Sequence, residues 1–156
     1  MTQNPIIKVL SVLHGCRVRF LLMGGQACIL YGGSEFSRDT DIALLPEQGN
    51  LNNLETALAQ LKAERIAVPE LSLEYLRKGH AVHFRCKHPD ALNMRIDIMS
   101  VLHNASSFDT LWELNFRGEI FENSQYGKMP LSLQKMYILR LKHYRQPNTQ
   151  SQKPKT

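Results

Sequence analysis

Residues 20–45 constrain the fold of this chain more than any other stretch. The unbroken apolar run Phe20 to Met23 ends at Gly24-Gly25, a short helix-like segment follows, and Asp39-Thr40-Asp41 opens a second apolar run that reaches Leu45. Four consecutive hydrophobes closed by glycine suit a strand buried on both faces. The glycine pair lets backbone N–H groups approach a ligand, because no Cβ stands in the way. Asp39 and Asp41 are two residues apart, so a strand directs both carboxylates to one face. Two carboxylates on one face repel unless a cation lies between them, which points to a metal.

Gln26 to Tyr31 has room for one or two helical turns whose start would lie beside Gly24-Gly25. A helix start presents unpaired N–H groups and the positive end of a dipole, both suited to phosphate. The plainer reading of the glycines is a tight strand-to-helix turn without a ligand. With Asp39 and Asp41 following, the phosphate reading is the stronger of the two. Ser37 and Arg38 stand next to the acids. Either they touch a polyphosphate, or Ser37 caps a turn and Arg38 neutralises a neighbouring carboxylate.

The rest of the chain reads as scaffolding with one further acid of interest. Residues 5–15 form a short, largely buried helix ended by Gly15, and Cys16 to Met23 gives the first core strand. Pro46 and Gly49 end the second strand. Asn50 or Asn52 then caps a helix running to about Ala63, with Leu54, Leu58 and Leu61 on one face. Residues 64–80 are irregular apart from a helical turn at Leu73–Arg77. Ala81 to Cys86 and Met94 to Val101 pair as a hairpin across a turn at Lys87 to Asp90. Asp97 lies inside the second of these strands, between Ile96 and Ile98, where a lone acid either faces solvent or joins the earlier pair.

His80, His83, Cys86 and His88 match no usual zinc spacing, and a hairpin would send several of them to opposite faces. They read as structural or solvent-facing, with zinc a minor alternative. Phe108 to Leu114 is a short helix or turn, and Arg117 to Glu122 with Tyr126 to Met129 forms a terminal hairpin. A last helix begins at Pro130 or Leu131, burying Leu133, Met136, Tyr137, Leu141 and Tyr144. Its other face is basic, with Lys135, Arg140, Lys142, His143 and Arg145. Residues 147–156 are polar with two prolines and read as a disordered tail to a single domain over 1–146.

A chain of 156 residues with a hydrophobic share of 43% can bury a core without staples. No apolar run approaches the ~20 residues of a membrane span, and the N-terminus lacks the marks of a secretory signal. Three cysteines, Cys16, Cys28 and Cys86, read as reduced residues of a cytoplasmic protein rather than a disulfide framework. The net charge of +5 permits an anionic partner without demanding one.

A strand, Gly24-Gly25, a short helix and Asp39-Thr40-Asp41 after the thirteen residues 26 to 38, with a later acid in Arg95-Ile96-Asp97-Ile98-Met99, together resemble the signature of the nucleotidyltransferase superfamily. That superfamily shares the palm of DNA polymerase β. Tyr31-Gly32 and Phe36-Ser37 are similar to its Gly-Gly branch, which includes abortive-infection (AbiEii-type) toxin nucleotidyltransferases. The resemblance covers roughly residues 17 to 100 and implies an α+β (α/β) fold. The implied core is a small mixed sheet of about four or five strands with helices mainly on one face.

The resemblance also implies transfer of a nucleoside monophosphate from an NTP to an acceptor hydroxyl on a small molecule, protein or tRNA, with a toxin–antitoxin role one setting for it. Asp39, Asp41 and Asp97 would be the catalytic, metal-binding carboxylates. They would hold Mg²⁺, or Mn²⁺, in a two-metal site. Gly24, Gly25, Ser37 and Arg38 would meet the nucleotide. In similar enzymes a C-terminal helix supplies a lysine or arginine near the nucleotide. The family's helix often continues into a Lys-Asp pair, whereas here Gln146-Pro147-Asn148-Thr149 follows.

Two other classes compete with an active enzyme. One is a catalytically idle member acting as an antitoxin or regulatory partner through protein binding. Three mutually repelling acids speak against it. The other is a nucleic-acid-binding module using the basic last helix. No helix-turn-helix or aromatic single-strand platform supports that reading.

Overall fold

The computed structural model describes residues 4–24, 26, 39–101 and 108–109, together with the backbone of 116–119 and 135–138. Gly25, Cys28, Ser37, Arg38 and the 147–156 tail lie outside the described residues.

The chain opens with helix α1 (Pro5–Gly15), capped by the Asn4 side chain, which accepts the Ile6 N–H at 3.2 Å. Strand β1 is Phe20–Met23 and strand β2 is Asp39–Leu44. Helix α2 (Gln48–Gln60), edge strand β3 (Ala63–Arg65) and helix α3 (Leu73–Arg77) follow. The β4 (Val82–Cys86) and β5 (Arg95–Met99) strands form the expected hairpin, joined through a 3₁₀ turn at Pro89–Ala91. Strands β6 (Phe116–Glu119) and β7 (Lys135–Ile138) complete the sheet.

Among the described residues the sheet has seven strands, rather than the four or five expected, in the order β3-β4-β5-β2-β1-β7-β6. It is mixed: β2 runs parallel to β5 and β1 parallel to β7, while the remaining neighbours are antiparallel. Among the described residues the helices gather on one face. Ile6, Leu10 and Leu13 of α1, Leu54 and Leu58 of α2, and Leu76 of α3 share one apolar cluster with Phe20, Leu22, Ile42, Leu44, Val82, Phe84, Ile96 and Ile98. The strand members of that cluster are alternate residues, the signature of a single sheet face. The class is therefore α+β with helices on one side. No helix of the described residues is long and apolar enough to cross a membrane.

Several local expectations give way to the structure. The first strand begins at Phe20, because α1 runs to Gly15 and Cys16 serves as its C-cap. Residues 63–65, within or beside the stretch read as irregular, form β3, whose backbone pairs with β4. Asn50 does not cap α2; Glu47 holds the cap position. Instead the buried Asn50 amide donates to the Arg19 and Leu45 carbonyls, both at 2.9 Å, and accepts the Arg19 N–H at 2.7 Å. It thereby ties the start of α2 to the chain entering β1 and leaving β2.

The last helix is overturned over 135–138, which is strand β7. Apolar spacing there matches a helix. However, β1 has a free edge beyond β2, and β7 supplies backbone partners for it, with Leu22 opposite Ile138. The terminal hairpin changes partner for the same reason: Phe116 pairs with Ile138 and Glu119 with Lys135. Residues 126–129 and 139–146 lie outside the described residues.

Candidate functional site

Strand register sets the geometry of the site. The face away from the helices carries rows of side chains running across neighbouring strands. One row places Glu64 of β3 opposite Arg85 of β4, Arg85 opposite Arg95 of β5, and Arg95 opposite Asp39 of β2. The next places His83 opposite Asp97, Asp97 opposite Asp41, and Asp41 opposite Met23 of β1. The rows are two residues apart, about 7 Å, and neighbours within a row are about 5 Å apart. Leu21, Met23 and Ala43 make the β1 end of this face apolar, and all three are buried. The polar groups thus concentrate on β2, β5 and β4.

The expected acids come together. Asp39 and Asp41 share a face, and the parallel pairing of β2 with β5 sets Asp97 directly beside Asp41. Burial, together with the charges of Asp97 and Asp39, raises the Asp41 pKa from an ordinary 3.8 to about 6. Its carboxyl lies within hydrogen-bonding reach of that of Asp97, and Arg95 offsets only part of the repulsion.

Gly24 follows β1 at φ +66°, a left-handed conformation. A Cβ there would run into the Asp41 carboxylate. The backbone angle favours glycine at this position, and any side chain here would also have to push the Asp41 carboxylate aside.

Two further side chains hold Asp97, which is only 8% exposed. His83 Nδ1 lies 2.6 Å from Asp97 Oδ1, and Arg95 Nε donates to the same oxygen at 2.8 Å. Arg95 Nη2 lies 3.2 Å from His83 Nδ1. With its proton on Nδ1, His83 donates to Asp97, and the Arg95 approach to that nitrogen is a contact rather than a hydrogen bond. The carboxylate in turn raises the Arg95 pKa, chiefly through that hydrogen bond.

Sequence reasoning missed the roles of His83 and Arg95. The two-residue rule that joined Asp39 to Asp41 also joins Arg95 to Asp97 and His83 to Arg85. What the sequence lacked was the register that sets β4 against β5. His80 and Cys86 take no part: His80 stacks edge-on with Tyr75, and Cys86 faces the core, where burial lifts its thiol to about 11.

Among the described residues, no group of three or more His, Cys, Asp or Glu side chains is arranged to hold a metal ion by itself. The donor chemistry nonetheless fits a hard divalent cation. Magnesium uses one or two carboxylates and fills its shell with water and substrate phosphates rather than relying on an all-protein cage. Asp39, Asp41 and Asp97 offer hard oxygens on one face, and the raised Asp41 pKa records a negative charge that a cation would relieve. Comparison with protein-family models and with curated proteins gives no match.

Proposed function

We propose that this chain is a magnesium-dependent nucleotidyltransferase with a polymerase β palm-like fold, moving a nucleoside monophosphate from an NTP to an acceptor hydroxyl. The observation that carries the reading is the in-register pairing of Asp41 with Asp97, with Asp39 on the same face and Gly24 shaped to the Asp41 carboxylate. Asp39, Asp41 and Asp97 would hold the magnesium. Bound there, the cation supplies charge neutralisation at the phosphoryl group and a more acidic acceptor hydroxyl. The chain's own work is positional. Gly24 keeps the end of β1 clear, so that Asp41 and a phosphate lie close to the backbone. Arg95 and His83 fix the rotamer of Asp97, whose carboxylate is aimed before substrate arrives.

One observation favours a catalytically idle partner protein instead: Asp97 Oδ1 is already satisfied by Arg95 and His83. A single experiment separates the two. Calorimetric titration with Mg²⁺ and each NTP, followed by transfer assays with the radiolabelled nucleotide that binds, is run on wild type and Asp41→Asn. The enzyme reading expects Mg²⁺-dependent binding of an NTP and a fall in transfer of about a hundredfold or more in the variant. Absence of NTP binding to the wild-type chain would leave the idle-partner reading.

A further inference from the structure

The acid row runs past Asp97 to the edge of the sheet. The Ile66 N–H donates to the His83 carbonyl at 3.0 Å, which extends the β3–β4 ladder by one residue and sets Ile66 opposite His83. The row therefore reads Met23, Asp41, Asp97, His83, Ile66 across five strands. Its two ends differ. Met23 is 2% exposed, whereas Ile66 is 41% exposed and Val68, two residues further on, is 85% exposed. The row is closed at β1 and open at β3. Ile66 and Val68 are two of the four large apolar side chains exposed among the described residues, and both stand at this open end. A lone exposed hydrophobe is ordinary, but a pair at the mouth of an acid row is a surface for the apolar part of a ligand. The neighbouring row is balanced in charge: Glu64 faces Arg85, Asp39 faces Arg95, and the Arg95 guanidinium lies on Asp97 and His83. With an acid opposite each arginine, a polyanion finds no unbalanced positive charge at this mouth.

We propose that Ile66 and Val68 form the acceptor subsite, and that the acceptor is a hydroxyl compound with an apolar body, aliphatic or aromatic, rather than the sugar–phosphate end of a nucleic acid. The proposal rests on the nucleotidyltransferase reading and goes beyond it by naming the acceptor class. In that reading the nucleotide phosphates lie near Gly24, at the β1 end of the row. The acceptor then approaches from the β3 end, with its hydroxyl at Asp97 and its body over His83 and Ile66. Neighbouring strands are about 4.8 Å apart, so Ile66 stands about 10 Å from Asp97 along the row. A body of that length loses water against Ile66 while its hydroxyl is at the acids. The apolar contact is the same before and during transfer, so it governs acceptor binding rather than the chemical step.

The test uses the full chain, Mg²⁺ and the radiolabelled NTP that binds, with primary alcohols from ethanol to 1-octanol and a short RNA with a free 3′ hydroxyl as acceptors. The variants are Ile66→Ser and Val68→Ser, both at exposed positions, with Leu92→Ser as an exposed apolar control in the β4–β5 turn. In the wild type, kcat/KM for the alcohols is expected to rise about two- to fourfold per added methylene toward the long end of the series. That rise flattens in Ile66→Ser and Val68→Ser, through KM rather than kcat, with NTP affinity unchanged, while Leu92→Ser follows the wild type. The same rise in Ile66→Ser as in wild type, or transfer to the RNA and to no alcohol, overturns the acceptor assignment. NTP binding without transfer to any alcohol also overturns it and leaves the nucleotidyltransferase reading standing. No NTP binding by the wild type removes that reading itself, and the acceptor subsite with it.

Discussion

On the helix side of the sheet, Leu22, Ile42, Ile96 and Ile98 are fully buried against α1 and α2, and each strand adds apolar area to one continuous cluster. On the other side the same strands carry Asp41, Asp97, Arg95 and His83, with like charges set next to each other in register. Consecutive residues of β5 belong to the two sides in turn: Ile96 and Ile98 to the first, Arg95 and Asp97 to the second. A polar face built only for solubility would alternate signs across strands, because opposite-charge neighbours stabilise and like-charge neighbours do not. This face opposes that rule twice, and the acidic pair lies against a glycine held at positive φ. Local violations of the folding rules concentrate where a ligand is to be held. The helix side therefore carries the stability that the other side gives up.

The comparison breaks first on the helix side. Ile96→Ala removes a fully buried side chain at the centre of the cluster and leaves a cavity beneath α1 and α2. Urea unfolding should show a loss of about 2–5 kcal/mol. The neighbouring exposed site Arg85, changed to Gln, should move stability by no more than about 0.5 kcal/mol. If Ile96→Ala cost no more than Arg85→Gln, the division of labour between the faces would be wrong.

A smaller effect is expected at Gly24, where the two demands meet. Alanine there must adopt φ +66° and displace the Asp41 carboxylate. Together these should cost about 2 kcal/mol by thermal or urea unfolding. The two parts separate in an Asp41→Ala background. The backbone part persists and the steric part disappears, giving a coupling of about 1 kcal/mol. No coupling would mean that Gly24 serves the turn alone and is not shaped to the carboxylate.

How much of this was legible beforehand depends on the range of the interaction concerned. The end of α1 at Gly15, the Leu73–Arg77 turn and the β4–β5 hairpin follow from local signals: a glycine, a proline, and alternation over a few residues. The shared face of Asp39 and Asp41 follows from the pleat. The proximity of Asp97 to Asp41 does not, because more than fifty residues separate them in sequence and only the parallel pairing of β2 with β5 joins them. His83 and Arg95 were hidden for the same reason, their partners being set by register. Asn50 looked like a cap because asparagine favours that position, yet its amide satisfies three backbone groups just before β1 and just after β2. At 135–138 the apolar spacing suits a helix as well as a strand, and the unpaired edge of β1, a tertiary demand, decided between them.

The smallest effect reverses the usual direction of a mutation. Asp41 holds its proton more tightly when folded, with a pKa of about 6 against an ordinary 3.8. Below pH 4 the group is protonated in both states, and its contribution to stability is fully present. As pH rises through 6 the folded protein must ionise Asp41 beside Asp97 and Asp39, and that contribution is lost. Asp41→Asn keeps the shape and removes the charge. It should leave the melting temperature unchanged near pH 4 and raise it at pH 7.5, by an amount equivalent to about 1 kcal/mol once the partial exposure of the site is allowed for. Mg²⁺ should sharpen the contrast. Ten millimolar Mg²⁺, compared with EDTA, is expected to stabilise the wild type at pH 7.5 and to do little for the variant, since a cation that binds only the folded state adds stability in proportion to its occupancy. A variant less stable than wild type at pH 7.5, or one that gains equally from Mg²⁺, would show that Asp41 is a structural acid held by its neighbours. The like-charge row would then need an explanation within the fold itself.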